Sequence, residues 1–322
     1  MQIIIILVID LENYLNSLKI LVLGGSGQIG SEIKAYQDEI DFSFSFPSSS
    51  ELNLKDISSI RKYFSVNTFD IVLNLAAYTS VDKAEEEKEL SDKINHIGPG
   101  ILAEEAYKRN IGLIHVSTDY VFGKNGHGPY TSSDIKDPLN HYGHTKSLGE
   151  NKVLSIHDKS LIIRLASVFG NYGNNFVKTL TSKLLMDDDI RLVSDQLISL
   201  TYANDFVKNL KEIIFLYINY KNNNKILESS IIHLTSPEYT NWFSVGSIIY
   251  EEIEKFIQRP LPVKLIPISS SEWISAAQRP LDTRLKVDYK FLEENNIKTS
   301  PWQDAVRLVV RNTLSSLKGK VL

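Results

Sequence analysis

The stretch Asn140 to Glu150, NHYGHTKSLGE, places a phenol four residues before an ammonium: Tyr142 and Lys146. On a helix that spacing puts both side chains on one face, one turn apart. A phenol with a reference pKa of ~10 is a poor acid or base at neutral pH, and lowering it by roughly three units takes about 4 kcal/mol. An ammonium at ~4 Å in an effective dielectric of ~20 supplies about that much. The pair can therefore act as a proton donor tuned by its own neighbour. His141 and His144 flank the tyrosine on other helical faces and are read as solvent-facing.

A second cluster is HVSTDYVFG, with the hydroxyls of Ser117 and Thr118 followed by Asp119, at the end of an apolar run that begins near Ile111. In an open α/β sheet ligands lie beyond the carboxyl ends of the strands, so Thr118 can hold a ketone oxygen beside the phenol. His115, inside the run, is read as a satisfied core histidine. Upstream, GGSGQIGSEI spaces Gly24, Gly27 and Gly30 as G-x-x-G-x-x-G between a strand-like and a helix-like segment. Glycines there allow a tight turn and close approach of a pyrophosphate to backbone. This spacing resembles that of the short-chain dehydrogenase/reductase group. The plain alternatives are a solvated Tyr–Lys pair, a capped loop and an ordinary turn; the three features together favour catalysis.

These residues need a scaffold that brings strand ends together. Short apolar runs at 18–23, 41–46, 70–77, 111–118 and 160–167 alternate with helical periods at 28–39, 56–65, 84–109 and 141–156. The pattern predicts an α/β fold with a doubly wound parallel (Rossmann) sheet over 18–168, and a smaller α/β C-terminal substrate-binding domain over 169–322. Segments near 195–220 are expected to cross back. The helix at 84–109 should break near Gly98-Pro99-Gly100, 220–225 (YKNNNK) reads as a loop, and 231–236 as a late strand. The acidic run 82–89 reads as a solvated helix start.

The apolar residues 3–9 are too few to span a bilayer, and acids follow them directly, so residues 1–17 read as an N-terminal extension or an upstream start rather than a targeting signal. The formal net charge of -4 is spread along the chain and argues against nucleic acid. With no cysteine, disulfides and thiol catalysis are excluded, which suits a reducing cytoplasm. At the end of the second strand, where an acid would favour NAD and an arginine NADP, the chain reads FPSSS (46–50). Ser48 can bond a ribose hydroxyl or a 2'-phosphate, and the missing acid tilts the choice between NAD(H) and NADP(H) to the latter.

From Leu18 onward the chain resembles the dTDP-4-dehydrorhamnose reductase family of extended short-chain dehydrogenases. The resemblance is carried by ILVLGGSGQIG, DIVLNLAAYTSVDKAEEE, HVSTDYVFG, PLNHYGHTKSLGE, NNFVKTL, RPLDTRL and SPWQDAV. It implies NAD(P)H-dependent reduction of a 4-keto group on a nucleotide-activated 6-deoxysugar, in surface polysaccharide synthesis. By that resemblance Tyr142 donates the proton, Lys146 tunes it and binds ribose, and Thr118 and Asp119 line the reaction site. Gly27, Gln28 and Ile29 meet the pyrophosphate, Ala77, Tyr78 and Thr79 the middle of the cofactor, and Arg279 and Arg284 the substrate's diphosphate, for which a planar guanidinium fork is suited. A homodimer is usual for such enzymes, and some relatives bind a divalent metal.

The chain departs from the family pattern on the substrate side: Ser167 replaces a tryptophan, and DQLISLT carries Ile198 and Leu200 for a glycine and a proline. Pro47 and Asn53 stand where acids are expected at the second-strand end and near the adenine. Two other readings fit the same residues. One is an NAD-retaining epimerase or dehydratase with Asp119 as additional acid/base. The other is a non-catalytic subunit like the regulatory subunit of methionine adenosyltransferase.

Overall fold

The computed structural model describes residues 17–186, 189–223 and 230–321. Residues 1–16, most of the expected N-terminal extension, lie outside the described residues. Six short strands, β1 (Lys19–Leu23), β2 (Ser43–Ser45), β3 (Ile71–Asn74), β4 (Gly112–Thr118), β5 (Leu161–Leu165) and β9 (Ile231–His233), pair in the order β2-β1-β3-β4-β5-β9. Every pair is parallel. β1, β3 and β5 are buried almost throughout, as a sheet covered on both faces requires. Strand order reverses at β1, between its neighbours β2 and β3, and the crevice at such a switch point is where α/β proteins bind ligands.

Helix α1 (Gln28–Tyr36) follows β1, and α2 (Ile57–Val66), capped by Asp56, precedes β3. The helical run after β3 consists of α3 (Val81–Ala84), α4 (Lys88–Asp92), one π turn (Lys93–Ile97) and α5 (Gly98–Lys108). The break expected at Gly98-Pro99-Gly100 is therefore not there: all three residues are helical, and Pro99 sits in the first turn, where its missing N–H costs nothing. The glycines serve packing, because a Cβ on Gly98 would lie 2.8 Å from the Leu54 carbonyl oxygen and one on Gly100 2.7 Å from Lys152 Cγ.

Helix α6 (His141–Ile156) matches the expected span, and Asn140 caps it by accepting from the Gly143 N–H at 2.9 Å. Further on, β6 (Val168–Phe169) pairs with β8 (Thr201–Tyr202), and β7 (Ile190–Val193) with β10 (Leu265–Ile268). Helices α8 (Ala203–Lys208) and α9 (Leu210–Asn223) bury Phe206, Leu210 and Ile213 in the same core as Ile20, Val22 and Ile163 of the large sheet. A second core joins Val177 and Leu180 of α7 (Phe176–Lys183), Val245 and Ile249 of α10 (Trp242–Ile257), and Val306 and Val310 of α11 (Trp302–Val321). Residues 220–223, read as loop, close α9, while 224–225 lie outside the described residues. Among the described residues no helix is long and apolar enough to cross a membrane.

Candidate active site

The glycine turn is shaped by contacts that exclude side chains. Gly24 has φ +81°, and a Cβ there would lie 2.8 Å from the Ala76 nitrogen at the end of β3. A Cβ on Gly30 would lie 2.4 Å from the Gly24 carbonyl oxygen. Gly27 donates to that carbonyl at 2.9 Å and caps α1 with no side chain, leaving the helix's first N–H groups to face the crevice. Gln28 spans from the turn to β6, donating to the Val168 carbonyl at 3.2 Å, while its Oε1 is buried without a partner. Ile29 is buried in the core. Bare glycine backbone and a helix start suit a dinucleotide pyrophosphate.

Asn95, from the π turn, brackets Tyr78: it accepts from the Tyr78 N–H at 2.8 Å and donates to the Tyr78 carbonyl at 3.0 Å. The same amide reaches Thr145 of α6 at 3.2 Å, so one buried side chain ties the 76–79 segment to the helix of Tyr142. Ala77 is half-buried beside it and Thr79 exposed. Two glycines let α6 come this close. A Cβ on Gly143 would lie 2.0 Å from the Tyr120 carbonyl oxygen, and one on Gly149 2.1 Å from the Asn95 carbonyl oxygen.

Tyr142, Lys146, Thr118 and Asp119 are all buried where α6 meets the end of β4. The Tyr142 ring stands edge-on to Tyr120, centroids 5.8 Å apart. Thr118 Oγ1 donates to Asp119 Oδ1 at 3.0 Å. Burial pushes the Tyr142 phenol up to about 12; hydrogen bonding from Thr118 pulls the other way and the Asp119 charge adds to the rise. The expected tuning by Lys146 is not what the geometry provides, because Lys146 Nζ donates instead to the Val116 carbonyl at 2.7 Å. Burial brings Lys146 itself down to about 8, against the pull of Glu150. Asp119 is raised by burial to about 6, with Thr283 and Thr118 opposing. Its Oδ2 and the Thr283 hydroxyl are nonetheless both without a hydrogen bond of good geometry.

Beneath the pair lies a buried ion network. Arg164 of β5 grips Glu150 of α6 through two bonds of 2.9 and 2.8 Å, and Lys136 adds a third at 3.0 Å. His115 is only half satisfied: Nδ1 meets Asn74 Nδ2 at 2.9 Å and Nε2 has no partner. Burial holds its pKa well below the ordinary value, and the imidazole stays neutral. His141 is half-buried, its Nε2 3.2 Å from the Lys88 carbonyl, and His144 is exposed.

Arg279 and Arg284, expected on the substrate side, are already engaged. Arg279 holds Asp82 through both terminal guanidinium nitrogens, one bond at 2.7 Å, and donates to the Ala277 carbonyl at 2.7 Å. Those hydrogen bonds keep the Asp82 carboxyl at about 2. Arg284 is bidentate on Asp282, at 2.9 and 2.7 Å, with its guanidinium carbon 5.2 Å from the Tyr239 ring centroid. The acidic run is therefore more than a solvated helix start, since Asp82 binds Arg279, Glu85 accepts from the His141 N–H at 2.8 Å and Glu87 from the Tyr78 hydroxyl at 2.9 Å. Ser167 has φ +40°, rare for a side-chain-bearing residue, between β5 and β6. Ser48 is exposed and bonded to Glu51, and Asn53 accepts from the Lys55 N–H at 3.1 Å, both within their own turn. Sequence inspection passed over Asn95, Glu51 and Glu150; Gly143 and Gly149, costly inside a helix, were the signal that α6 is closely approached.

A glycine-turned switch point facing a buried Tyr-x-x-x-Lys pair places the protein among the doubly wound dinucleotide-binding short-chain dehydrogenases/reductases. The family model described as RmlD substrate binding domain matches residues 18–315, and the chain belongs to that family. It is 31% identical over 289 residues to the spore coat polysaccharide biosynthesis protein SpsK of Bacillus subtilis (strain 168), covering 90% of this chain and 95% of that one. The solved dTDP-4-dehydrorhamnose reductase of Clostridium acetobutylicum ATCC 824 superposes with a TM-score of 0.79 at 30% identity, covering 94% of this chain and 100% of that one. That of Bacillus anthracis str. Ames, solved in complex with NADP, gives a TM-score of 0.77 at 26% identity, covering 93% and 99%.

Proposed function

We propose that the chain reduces the 4-keto group of a nucleotide-activated 6-deoxysugar with NADPH, the dTDP-4-dehydrorhamnose reductase reaction of dTDP-rhamnose synthesis. The observation that carries this is the buried Tyr142, flanked by Thr118 and Asp119 and one turn before Lys146, in a chain matched over 18–315. The dinucleotide, held along the Gly24–Gly30 turn and the 77–79 segment, supplies the hydride. Tyr142, protonated at neutral pH because its pKa lies near 12, donates its proton to the oxygen of the reduced carbonyl. An aliphatic alkoxide is more basic than even this phenolate, so the transfer runs downhill. Thr118 orients the carbonyl oxygen, Lys146 holds a ribose hydroxyl near the phenol, and Arg279 and Arg284 receive the diphosphate. Residues 169–322 supply most of the sugar-nucleotide side. The absence of cysteine and the metabolic cofactor suit the cytoplasm, and a homodimer is the assembly we infer.

Purified protein given a dTDP-4-keto-6-deoxyhexose should oxidise NADPH stoichiometrically with ketone reduced. The epimerase or dehydratase reading instead uses Asp119, whose buried carboxyl titrates near 6, as an additional acid/base. Tightly retained NAD with no net cofactor oxidation would replace our assignment by that one.

A further inference from the structure

We propose that two opposed charges, Lys34 and Glu51, set the choice between NADPH and NADH; the inference rests on the reductase reading above. The carboxyl end of β2 is where a dinucleotide's adenosine ribose meets a sheet of this kind. Phe46 walls that end, its Cδ1 3.0 Å from the position a Cβ on Gly25 would take. Lys34, near the end of α1, reaches across the same bare glycine: its Cε lies 3.2 Å from that position and its Nζ 5.0 Å from the Phe46 ring centroid. An exposed ammonium resting on an aromatic face can turn to a phosphate dianion, a far stronger partner than a ring.

Glu51 acts in the opposite sense. Its Oε2 accepts from both the backbone N–H and the hydroxyl of Ser48, at 2.8 Å each. The serine that the sequence offers to a phosphate is thus already holding an anion. Those bonds from Ser48 lower the carboxyl's pKa and keep it charged. A ribose diol can donate to this carboxylate, whereas a 2'-phosphate is repelled by it. Pro47 occupies the strand-end position where an acid was expected, and Glu51 supplies one by folding back on Ser48.

The test measures kcat/KM for NADPH and NADH with a dTDP-4-keto-6-deoxyhexose, together with Kd values for NADP+ and NAD+ by calorimetry. Lys34→Gln should lower the NADPH-to-NADH ratio by about fivefold to tenfold, Lys34→Arg should keep it, and Glu51→Gln should raise it by about fivefold. Higher salt should erode the wild-type preference for the phosphate-bearing cofactor. An unchanged ratio in both Gln variants, or shifts of the opposite sign, overturns the assignment. Because the Kd ratio needs no turnover, a chain that binds the dinucleotides with these shifts but reduces no keto-sugar would defeat the reductase reading and leave the charge assignment standing.

Discussion

On the cofactor wall of the crevice, Gly24, Gly27 and Gly30 present bare main chain and Asn95 fixes Tyr78 from both sides. On the substrate wall, Arg279 and Arg284 are clasped by Asp82 and Asp282. The first wall is held in shape by contacts within the chain, with Asn95 fixing the Tyr78 backbone and no Cβ over Gly24 or Gly30. On our proposal that Arg279 and Arg284 receive the diphosphate, the second exchanges carboxylates for it. We therefore propose that the cofactor meets a preformed wall and the sugar nucleotide one that must swap partners.

The largest effect belongs to Tyr142, which sits between the walls. Tyr142→Phe should lower kcat by about 10²- to 10⁴-fold while leaving the NADPH Kd unchanged by calorimetry. Equal rates for the two proteins would remove the phenol from the mechanism. Lys146, brought to about 8 by burial, should lose its proton as pH rises through that value. If that charge anchors the cofactor ribose, the NADPH KM should rise on an alkaline limb near pH 8, well below the phenol's own titration, and a flat profile there would remove the role.

Next in size is the ion network that fastens α6 to β5. Burial alone would raise Glu150, but the bonds and charge of Arg164, with Lys136, bring it to about 2. A carboxyl depressed in the folded state stabilises fully above its ordinary pKa of 4.5, and that contribution fades as pH falls toward about 2. Glu150→Gln leaves Arg164 buried without its counter-ion and should cost about 3–5 kcal/mol in urea unfolding at neutral pH. In the variant the acid-side loss of stability below pH 4.5 should be smaller than in the wild type. An identical acid profile would show that other carboxyls govern it.

A smaller effect separates the walls directly. Arg279→Lys keeps a charge but loses the planar fork, and should raise the sugar-nucleotide KM about tenfold with little change in the NADPH KM. If both constants rise together, Arg279 is holding the crevice closed through Asp82 and the partner swap is wrong.

The cofactor wall was legible in the sequence because backbone geometry restricts residue choice: φ +81° at Gly24 and the 2.4 Å approach at Gly30 leave glycine alone. The parallel strands showed through as short apolar runs. The substrate wall was legible only as types, since Arg279 meets Asp82 across 197 residues of chain and no local pattern records that. The same blindness affected Lys146. Helical spacing put it beside Tyr142, but its ammonium follows the Val116 carbonyl, 30 residues upstream. Gly98-Pro99-Gly100 misled for a related reason, because close packing and a first-turn proline look, in one sequence, like a helix break.

The smallest effect tests Ser167, which we propose on the substrate side and whose φ of +40° lies in the left-handed region. A side-chain-bearing residue there costs of order 1 kcal/mol relative to glycine. Ser167→Gly should therefore raise stability by about 1 kcal/mol, visible as a melting point higher by roughly 2 °C for a chain of this size. If the strain serves only the turn into β6, kcat and both KM values should stay unchanged. If instead it aims the Ser167 hydroxyl at the sugar, the more stable variant should bind the sugar nucleotide more weakly while its NADPH KM holds. Ser167→Trp separates the two further: both side chains hold the residue at positive φ, so a change confined to the sugar-nucleotide KM, with the NADPH KM unmoved, would come from the side chain.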